Sequence, residues 1–124
     1  MNLSDYFENT QGLGVLATAD AEGKVDAAIY ARPHVIDETS VAFIMREHLT
    51  HQNLQSNPHA AYLFVEKGEG YVGKRLYLTK VREETDPALI DSLKRRTTKV
   101  CADEGAKEYL VYFRIDKTRP LVGG

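Results

Sequence analysis

Residues 43–58, FIMREHLTHQNLQSNP, decide how the rest of the chain is interpreted. The stretch starts with an apolar run typical of a β-strand, becomes polar at Arg46, and continues as a short helix from about Thr50 to Asn57-Pro58. A strand therefore leads directly into a helix N-terminus. This junction combines a guanidinium, two imidazoles, a hydroxyl and the free N–H groups of a first helical turn, which together suit an anion such as a phosphate.

The composition limits the classes of protein to consider. The chain has 124 residues, 43% of them hydrophobic and 27% charged, with a formal net charge of −2. This length predicts a single domain, residues 1–124, whose core forms without metals or disulfides. The charge balance argues against a general nucleic-acid binder. A local basic cluster is interpreted as the solvated last turn of a helix; it consists of Lys94, Arg95, Arg96 and Lys99.

The location of the protein is predicted from its cysteine content and its apolar runs. Cys101 is the only cysteine, which excludes an intrachain disulfide and indicates a reducing compartment. No signal peptide is recognised at the N-terminus, and no apolar run reaches the ~18 residues typical of a transmembrane helix. We therefore expect a cytoplasmic protein without a membrane or nucleic-acid partner.

Alternating and β-branched segments predict six strands, at residues 13–19, 24–32, 40–45, 59–65, 74–82 and 109–115. Three short helices are expected near Ser4, Thr50 and Asp86, with the chain from Lys117 onward as a tail. The first four strands follow too closely for βαβ crossovers. The predicted fold is mainly β, a small six-stranded antiparallel barrel with short helices.

Two local patterns qualify this prediction. Residues Gly68, Gly70 and Gly73 have GxGxxG spacing, but an alternating strand follows them, so they are interpreted as a loop between strands rather than a nucleotide motif. In the second strand, one face carries small residues bordered by Tyr30 and Arg32. That face leaves room for a flat ligand.

Four segments in succession give the chain a family resemblance. They are LATADAEGKVDAAIYA, VAFIMREHLTHQNLQSNPHAAYLF, GKRLYLTKVREE and YLVYFRIDKTRPLVGG. In this order and spacing, over nearly the whole chain, they resemble the pyridoxamine 5′-phosphate oxidase-like, FMN-binding split-barrel family. The resemblance implies a split barrel that forms a homodimer, with FMN at the subunit interface.

The resemblance also implies which residues contact FMN. The flavin ring would lie against the second and third strands, largely through backbone groups, and its phosphate would lie at the junction in residues 43–58. Lys74 and Arg75 match a region that reaches the flavin of the partner subunit. The positions that match flavin-contacting ones are Ala28, Ile29, Tyr30, Ala31, Ile44 and Met45. Arg32 borders the same face, and the candidate residues of the phosphate junction are Arg46, His48, Leu49, Thr50 and His51.

This sequence departs from the family pattern at the phosphate site. Alignment on Asn57-Pro58 places His48, Leu49 and Thr50 where the family usually has a Ser-x-Lys or an Arg-Lys pair, so the usual lysine is missing. Arg46 and His51 are then expected to supply positive charge, and Thr50 a hydroxyl, although a histidine is only partly protonated near neutral pH. The basic Arg-x-His element of true pyridoxamine phosphate oxidases is also missing, so the vitamin B6 reaction is not assigned.

Alternatives remain open at this point. His48 and His51 are spaced to share a helix face, so a metal site and a solvated polar helix cap are both considered beside the phosphate site. No catalytic triad is recognised, so any chemistry belongs to the cofactor. The chain is predicted to be an FMN-dependent oxidoreductase or electron carrier that meets a small substrate or a redox partner. The alternative is a non-enzymatic split barrel that binds haem, another flavin-like ligand or nothing.

Overall fold

The computed structural model describes residues 2–94 and 107–123, which contain seven strands and three helices. The strands are β1 Gly12–Ala19, β2 Val25–Ile29, β3 His34–Asp37, β4 Ser40–Arg46, β5 His59–Glu66, β6 Gly73–Glu84 and β7 Glu108–Pro120. The helices are α1 Leu3–Asn9, α2 Leu49–Ser56 and α3 Pro87–Leu93. All strands form one antiparallel sheet in the order β2-β1-β5-β6-β7-β4-β3. The prediction of a mainly β, antiparallel fold with short helices is confirmed.

The structure corrects two details of the predicted strands: there are seven rather than six in the described residues, and the last one is longer than expected. Residues 34–37 form a strand of their own, β3, because Asp37 accepts a hydrogen bond from the N–H of Thr39 (2.8 Å) and turns the chain back into β4. The expected tail is also strand: β7 continues to Pro120, which lies opposite Lys74 of β6.

Local capping fixes the helix ends. Asn2, not Ser4, caps α1, since its side chain accepts from the N–H of Asp5 (2.8 Å). At α3, Asp86 accepts from the N–H of Ala88 (3.0 Å), and Pro87 occupies the first helical position, as the sequence predicts.

Tight turns join the strands. Gly23 has φ 85° in the hairpin between β1 and β2, a conformation that favours glycine. Gly68 and Gly70 also have positive φ, and β6 begins at Gly73, so the interpretation of these glycines as a loop is confirmed. Arg95, Arg96, Lys99 and Cys101 lie outside the described residues. No helix in the described ranges is long and apolar enough to cross a membrane.

The sheet curls around one main core. Phe7 of α1 packs inside it against Tyr62 and Phe64 of β5, with ring centroids 6.3 and 5.3 Å apart. The core also contains Leu16, Val41, Phe43, Met45, Leu54, Leu76, Leu78, Val111 and Phe113. A second cluster places Ile90 of α3 on the outer side of β4 and β7, against Ala42, Leu110 and Tyr112.

The outer face of β1 and β2 is apolar and uncovered in the single chain. Val25 and Ile29 on β2 are 83% and 72% exposed, and Leu13 on β1 is 51% exposed. The alternation that the sequence shows in residues 25–31 is therefore real, but its branched apolar side points outward.

Candidate functional site

The junction between β4 and α2 has the geometry that the sequence predicts. β4 ends at Arg46, and His48 precedes the helix in an extended conformation (φ −127°, ψ −175°). The His48 side chain makes no capping hydrogen bond, and among the described residues no other side-chain cap is recorded for this helix end. The N–H groups of its first turn are therefore directed at whatever lies beyond the helix.

Two strand edges border this junction. Tyr30 donates its N–H to the carbonyl of Gly14 (3.0 Å), so by the alternation of an antiparallel ladder the backbone groups of Ile29 and Ala27 point away from β1. Within the described residues, no strand pairs with that outer edge of β2. β4 is paired with β3 only as far as Ala42, so the rest of β4 has a second edge that β3 does not cover.

Tyr30 and Thr50 connect the edge of β2 to α2. The Tyr30 ring packs edge-on against Phe43, with centroids 6.0 Å apart. Burial raises the pKa of Tyr30, and the charge of Asp26 acts in the same direction, whereas its hydrogen bond with Thr50 acts in the opposite one. The phenol therefore stays protonated near neutral pH. The structure thus brings together two predicted site residues from separate elements.

Tyr62 is a positioning residue that the sequence interpretation missed. Its buried hydroxyl lies 3.2 Å from the carbonyl oxygen of Tyr30 and 3.1 Å from that of Ala31, and donates to this pair. Gly14 makes room for it, because a Cβ at that position would lie 1.9 Å from the Tyr62 hydroxyl oxygen. An alternating strand pattern predicts only that Tyr62 faces inward, not that its hydroxyl holds the end of β2.

The charged side chains of the junction have protein partners. Arg46 lies 3.8 Å from a carboxylate oxygen of Glu108 on β7. His51 is 4% exposed and lies between two carboxylates: its Nδ1 is 3.2 Å from Glu47, and its Nε2 is 3.1 Å from Glu83 of β6. The predicted role of His51 as a phosphate cation therefore competes with two carboxylates already in place.

Further contacts complete the surroundings of His51. Its ring stacks on that of Tyr109, with centroids 3.9 Å apart and planes at 20°. Lys80 and Gln55 donate to Glu83 at 2.7 and 3.1 Å. We call this set, His51 with Glu47, Gln55, Lys80, Glu83 and Tyr109, the His51 cluster. Its Glu47–His51 pair has helical i,i+4 spacing that the sequence displays, but Glu83 lies 32 residues away.

Both carboxylates of the His51 cluster are ionised near neutral pH. Burial acts to raise the pKa of Glu83, but hydrogen bonds from Lys80, Gln55 and His51 outweigh it and lower the pKa to about 2. The hydrogen bonds with His51 and Tyr109 lower the pKa of Glu47. Neither carboxylate can therefore donate a proton to the imidazole in a hydrogen bond.

Three other predicted site residues make contacts away from the junction or face away from it. Arg32 donates to the carbonyls of Phe7 (2.7 Å) and Thr10 (3.0 Å) and so holds the C-terminal end of α1. Met45 is buried in the main core, and Ile44 packs with the α3 cluster. A ligand at this part of β4 would meet backbone rather than these two side chains.

Lys74 and Arg75 lie far from the junction within one chain. The Lys74 ammonium sits 4.7 Å from the centre of the Tyr6 ring, and Arg75 donates to the carbonyls of Pro120 (2.8 Å) and Gly123. Lys74 and Glu83 occupy opposite ends of β6, roughly 25–30 Å apart at ~3.3 Å per residue. Within one chain, these two basic residues therefore lie away from the junction.

The metal alternative finds no donor set. In residues 2–94 and 107–123, no group of three or more His, Cys, Asp or Glu side chains is placed to hold a metal ion. The His51 imidazole does face carboxylates, but one of them, Glu83, already accepts hydrogen bonds from Lys80 and Gln55.

Several solved structures have the same fold as this chain. An FMN-binding protein from Syntrophomonas wolfei superposes with a TM-score of 0.78 at 16% identity, covering 98% of this chain and 84% of the other. HupZ of Group A Streptococcus gives 0.72 at 20% identity, covering 98% and 93%. A putative pyridoxamine 5′-phosphate oxidase from Lactobacillus delbrueckii gives 0.68 at 17% identity, covering 94% and 88%. These likenesses confirm the split-barrel fold.

Family membership is shown by a match to a protein-family model, because the solved structures are too distant in sequence to show more than the fold. No curated protein sequence matches the chain. The model of the pyridoxamine 5′-phosphate oxidase family matches residues 4–119, from α1 almost to the end of β7. The chain therefore belongs to the pyridoxamine 5′-phosphate oxidase family.

Proposed function

We propose that the protein is a flavoprotein that binds FMN at the interface of a homodimer and acts as an oxidoreductase or electron carrier. Membership of the family and likeness to an FMN-binding protein from Syntrophomonas wolfei support a flavin-type cofactor. The observation that carries the proposal is the uncapped first turn of α2 beside the free edge of β2, with Tyr30 and Thr50 between them.

The residues present fit a flavin ring and its phosphate in different ways. A flat ring with hydrogen-bonding edges suits the outward backbone groups of Ala27 and Ile29 on one side and the backbone of Ile44 and Met45 on the other. The phosphate suits the N–H groups of Leu49 and Thr50, the Thr50 hydroxyl and the exposed His48. Arg46 contributes positive charge that Glu108 partly offsets. Charge at this site is weaker than a lysine would supply, so we propose that FMN binding depends chiefly on backbone donors.

A second copy of the chain completes the proposed site. The outer face of β1 and β2 carries exposed Leu13, Val25 and Ile29, whose burial against another copy would be favourable. Docking of this face would bring Lys74 and Arg75 of one protomer toward the junction of the other. The interface would supply basic groups that the junction itself has in short supply.

The reaction would use the redox chemistry of FMN, which takes up and releases electrons at its ring system. This chain would orient the ring, exclude water on the side of β2, and keep the Tyr30 phenol as a neutral hydrogen-bond donor. No side chain is assigned a catalytic role. A small oxidisable or reducible molecule, or a redox protein, would approach the open side of the ring.

Replacing Thr50 tests the phosphate part of the proposal. Thr50→Val removes the hydroxyl but keeps the side-chain volume, so it should weaken FMN binding about tenfold, the usual effect of losing one hydrogen bond to a charged group. Gln52→Ala, exposed on the same helix, is the matched control and should bind FMN as the parent protein does.

Titration of flavin fluorescence against each purified protein measures both affinities. Equal affinities for the Thr50→Val and Gln52→Ala proteins would contradict the phosphate site. A parent protein that neither carries visible flavin absorbance nor quenches added FMN would contradict the function itself.

A further inference from the structure

The His51 cluster joins α2 to three other parts of the fold. His51 is the third residue of α2, and Glu47 belongs to the connection from β4. Glu83 and Lys80 belong to β6, and Tyr109 is the second residue of β7. These are the charged and titratable groups that face the imidazole, with Gln55 as the neutral one from its own helix. The first turn of α2 thus has its position set by contacts from outside the helix.

Hydrogen bonding in this cluster requires a doubly protonated imidazole. Glu47 and Glu83 face the two ring nitrogens at 3.2 and 3.1 Å, and both carboxylates are acceptors only. A neutral imidazole donates from one nitrogen, and its other nitrogen would point its lone pair at a carboxylate. The Gln55 amide nitrogen also lies 3.1 Å from Nε2, but it donates to the His51 carbonyl and to Glu83, which uses both of its hydrogens. Both contacts are therefore favourable together only while His51 carries two protons.

We propose that His51 is a positioning residue whose proton couples the first turn of α2, and with it the binding of a phosphate group there, to pH. The inference rests on the proposed function, because the ligand in question is the phosphate of FMN. With both protons present, Glu47 and Glu83 hold the turn from two sides. When the ring loses a proton in alkaline solution, one carboxylate loses its hydrogen bond from His51 and the turn gains freedom.

The difference in solvent exposure between Glu47 and Glu83 decides which of the two contacts with His51 is lost. Glu83 is 24% exposed and receives further bonds from Lys80 and Gln55, whereas Glu47 is 52% exposed and can return to water. The remaining proton therefore stays on Nε2 toward Glu83, and the Nδ1 contact with Glu47 opens. Glu47 lies immediately before His48, so this change occurs at the entrance to the helix.

FMN titrations of three variants test the coupling. His51→Gln and Glu47→Gln should each bind FMN about tenfold more weakly than a control at pH 6.0 and equally well at pH 8.5, a typical size for coupling between two sites. Glu84→Gln is the control, because Glu84 is the next residue on β6 but bonds to Arg82 and Tyr112 instead. Taking the ratio to this control cancels the titration of the FMN phosphate itself.

The measured quantity is the FMN dissociation constant of each variant divided by that of Glu84→Gln. A ratio that is the same at both pH values, whether large or equal to one, would overturn the proposal.

Amide hydrogen exchange of residues 49–53 in FMN-free protein provides a readout that does not need the cofactor. At pH 6.0, exchange there should be faster in Glu47→Gln than in Glu84→Gln, while exchange in β5 and β6 stays unchanged. If no protein binds FMN but this difference appears, the proposed function fails and the positioning role of His51 stands; if exchange is equal, the positioning role fails.

Discussion

At the scale of single residues, the end of β2 is held by one hydroxyl from the core. Tyr62 extends past Gly14 to the carbonyls of Tyr30 and Ala31, where β2 leaves its ladder with β1. They directly follow Ile29, whose outward backbone groups we propose to contact the flavin ring. A group inside the barrel therefore controls the geometry of the proposed ligand edge.

Tyr62→Phe tests this control. Loss of the hydroxyl leaves two carbonyls without their donor, and we expect the free energy of unfolding to fall by about 1–2 kcal/mol. FMN affinity should fall as well, because Tyr30 and Ala31 are no longer fixed. Urea unfolding and FMN titration measure the two effects, with Tyr77→Phe on β6 as the control. Unfolding that is unchanged in Tyr62→Phe would show that the hydroxyl contributes no net stability.

Glu83 gives the stability of the protein a dependence on acid pH. Its pKa is about 2 in the folded state, below its ordinary value of 4.5, so the folded state favours the ionised form. The resulting stability is complete above pH 4.5 and is lost as the pH falls from 4.5 toward 2. Glu83→Gln should therefore be less stable than the parent near pH 6, with the difference shrinking between pH 4.5 and 3. Urea midpoints across this range measure it, and a difference that stays constant would exclude Glu83 as the source.

At the scale of elements, α1 depends on Arg32, a residue that the sequence predicts to border the cofactor site. The Arg32 guanidinium donates to carbonyls at the end of α1, satisfying groups that a helix C-terminus leaves open. α1 in turn supplies Phe7 to the core. The structural role of Arg32 is thus separable from a role in binding FMN.

Arg32→Gln separates the two roles. If Arg32 acts on α1, the variant loses about 1–2 kcal/mol of unfolding free energy, since charge-assisted bonds are lost, and keeps its FMN affinity. Lys24→Gln, at an exposed ion pair, serves as the control for charge. Chemical denaturation and FMN titration provide the two numbers. Weaker FMN binding at unchanged stability would instead indicate that Arg32 contacts the cofactor.

At the scale of the whole molecule, local sequence patterns predicted where helices, strands and turns lie better than they predicted which of these elements pair with one another. The polar switch at Arg46, the Asp86-Pro87 start and the turn at Gly23 are short-range signals, and each lies where the sequence placed it. Residues 34–37 were not counted as a strand because the segment is short, with three pairs to β4, and shows no apolar alternation of its own.

Long-range placement explains the rest of the differences. Alternation in β2 separates two faces but does not say which one the core covers, and the branched side proved to be the exposed one. Likewise, the partners of His51 and Tyr62 come from distant segments, Glu83 and the end of β2, so only the folded sheet brings them together. The position of the strand-to-helix junction was predictable, whereas the carboxylates that surround His51 were not.

The uncovered face of β1 and β2 yields the last prediction, which concerns assembly. Ile29→Asp places a charge where we propose that a second copy packs, and burying it there without a partner would cost several kcal/mol, so the variant should be monomeric. Because Lys74 and Arg75 would then no longer reach a neighbouring junction, FMN affinity should fall with the dimer. Val81→Asp is the matched control, since Val81 is an exposed apolar residue at the bulge of β6. Light scattering after size exclusion, with and without FMN, measures mass; an Ile29→Asp protein that remains dimeric would place the interface on another face.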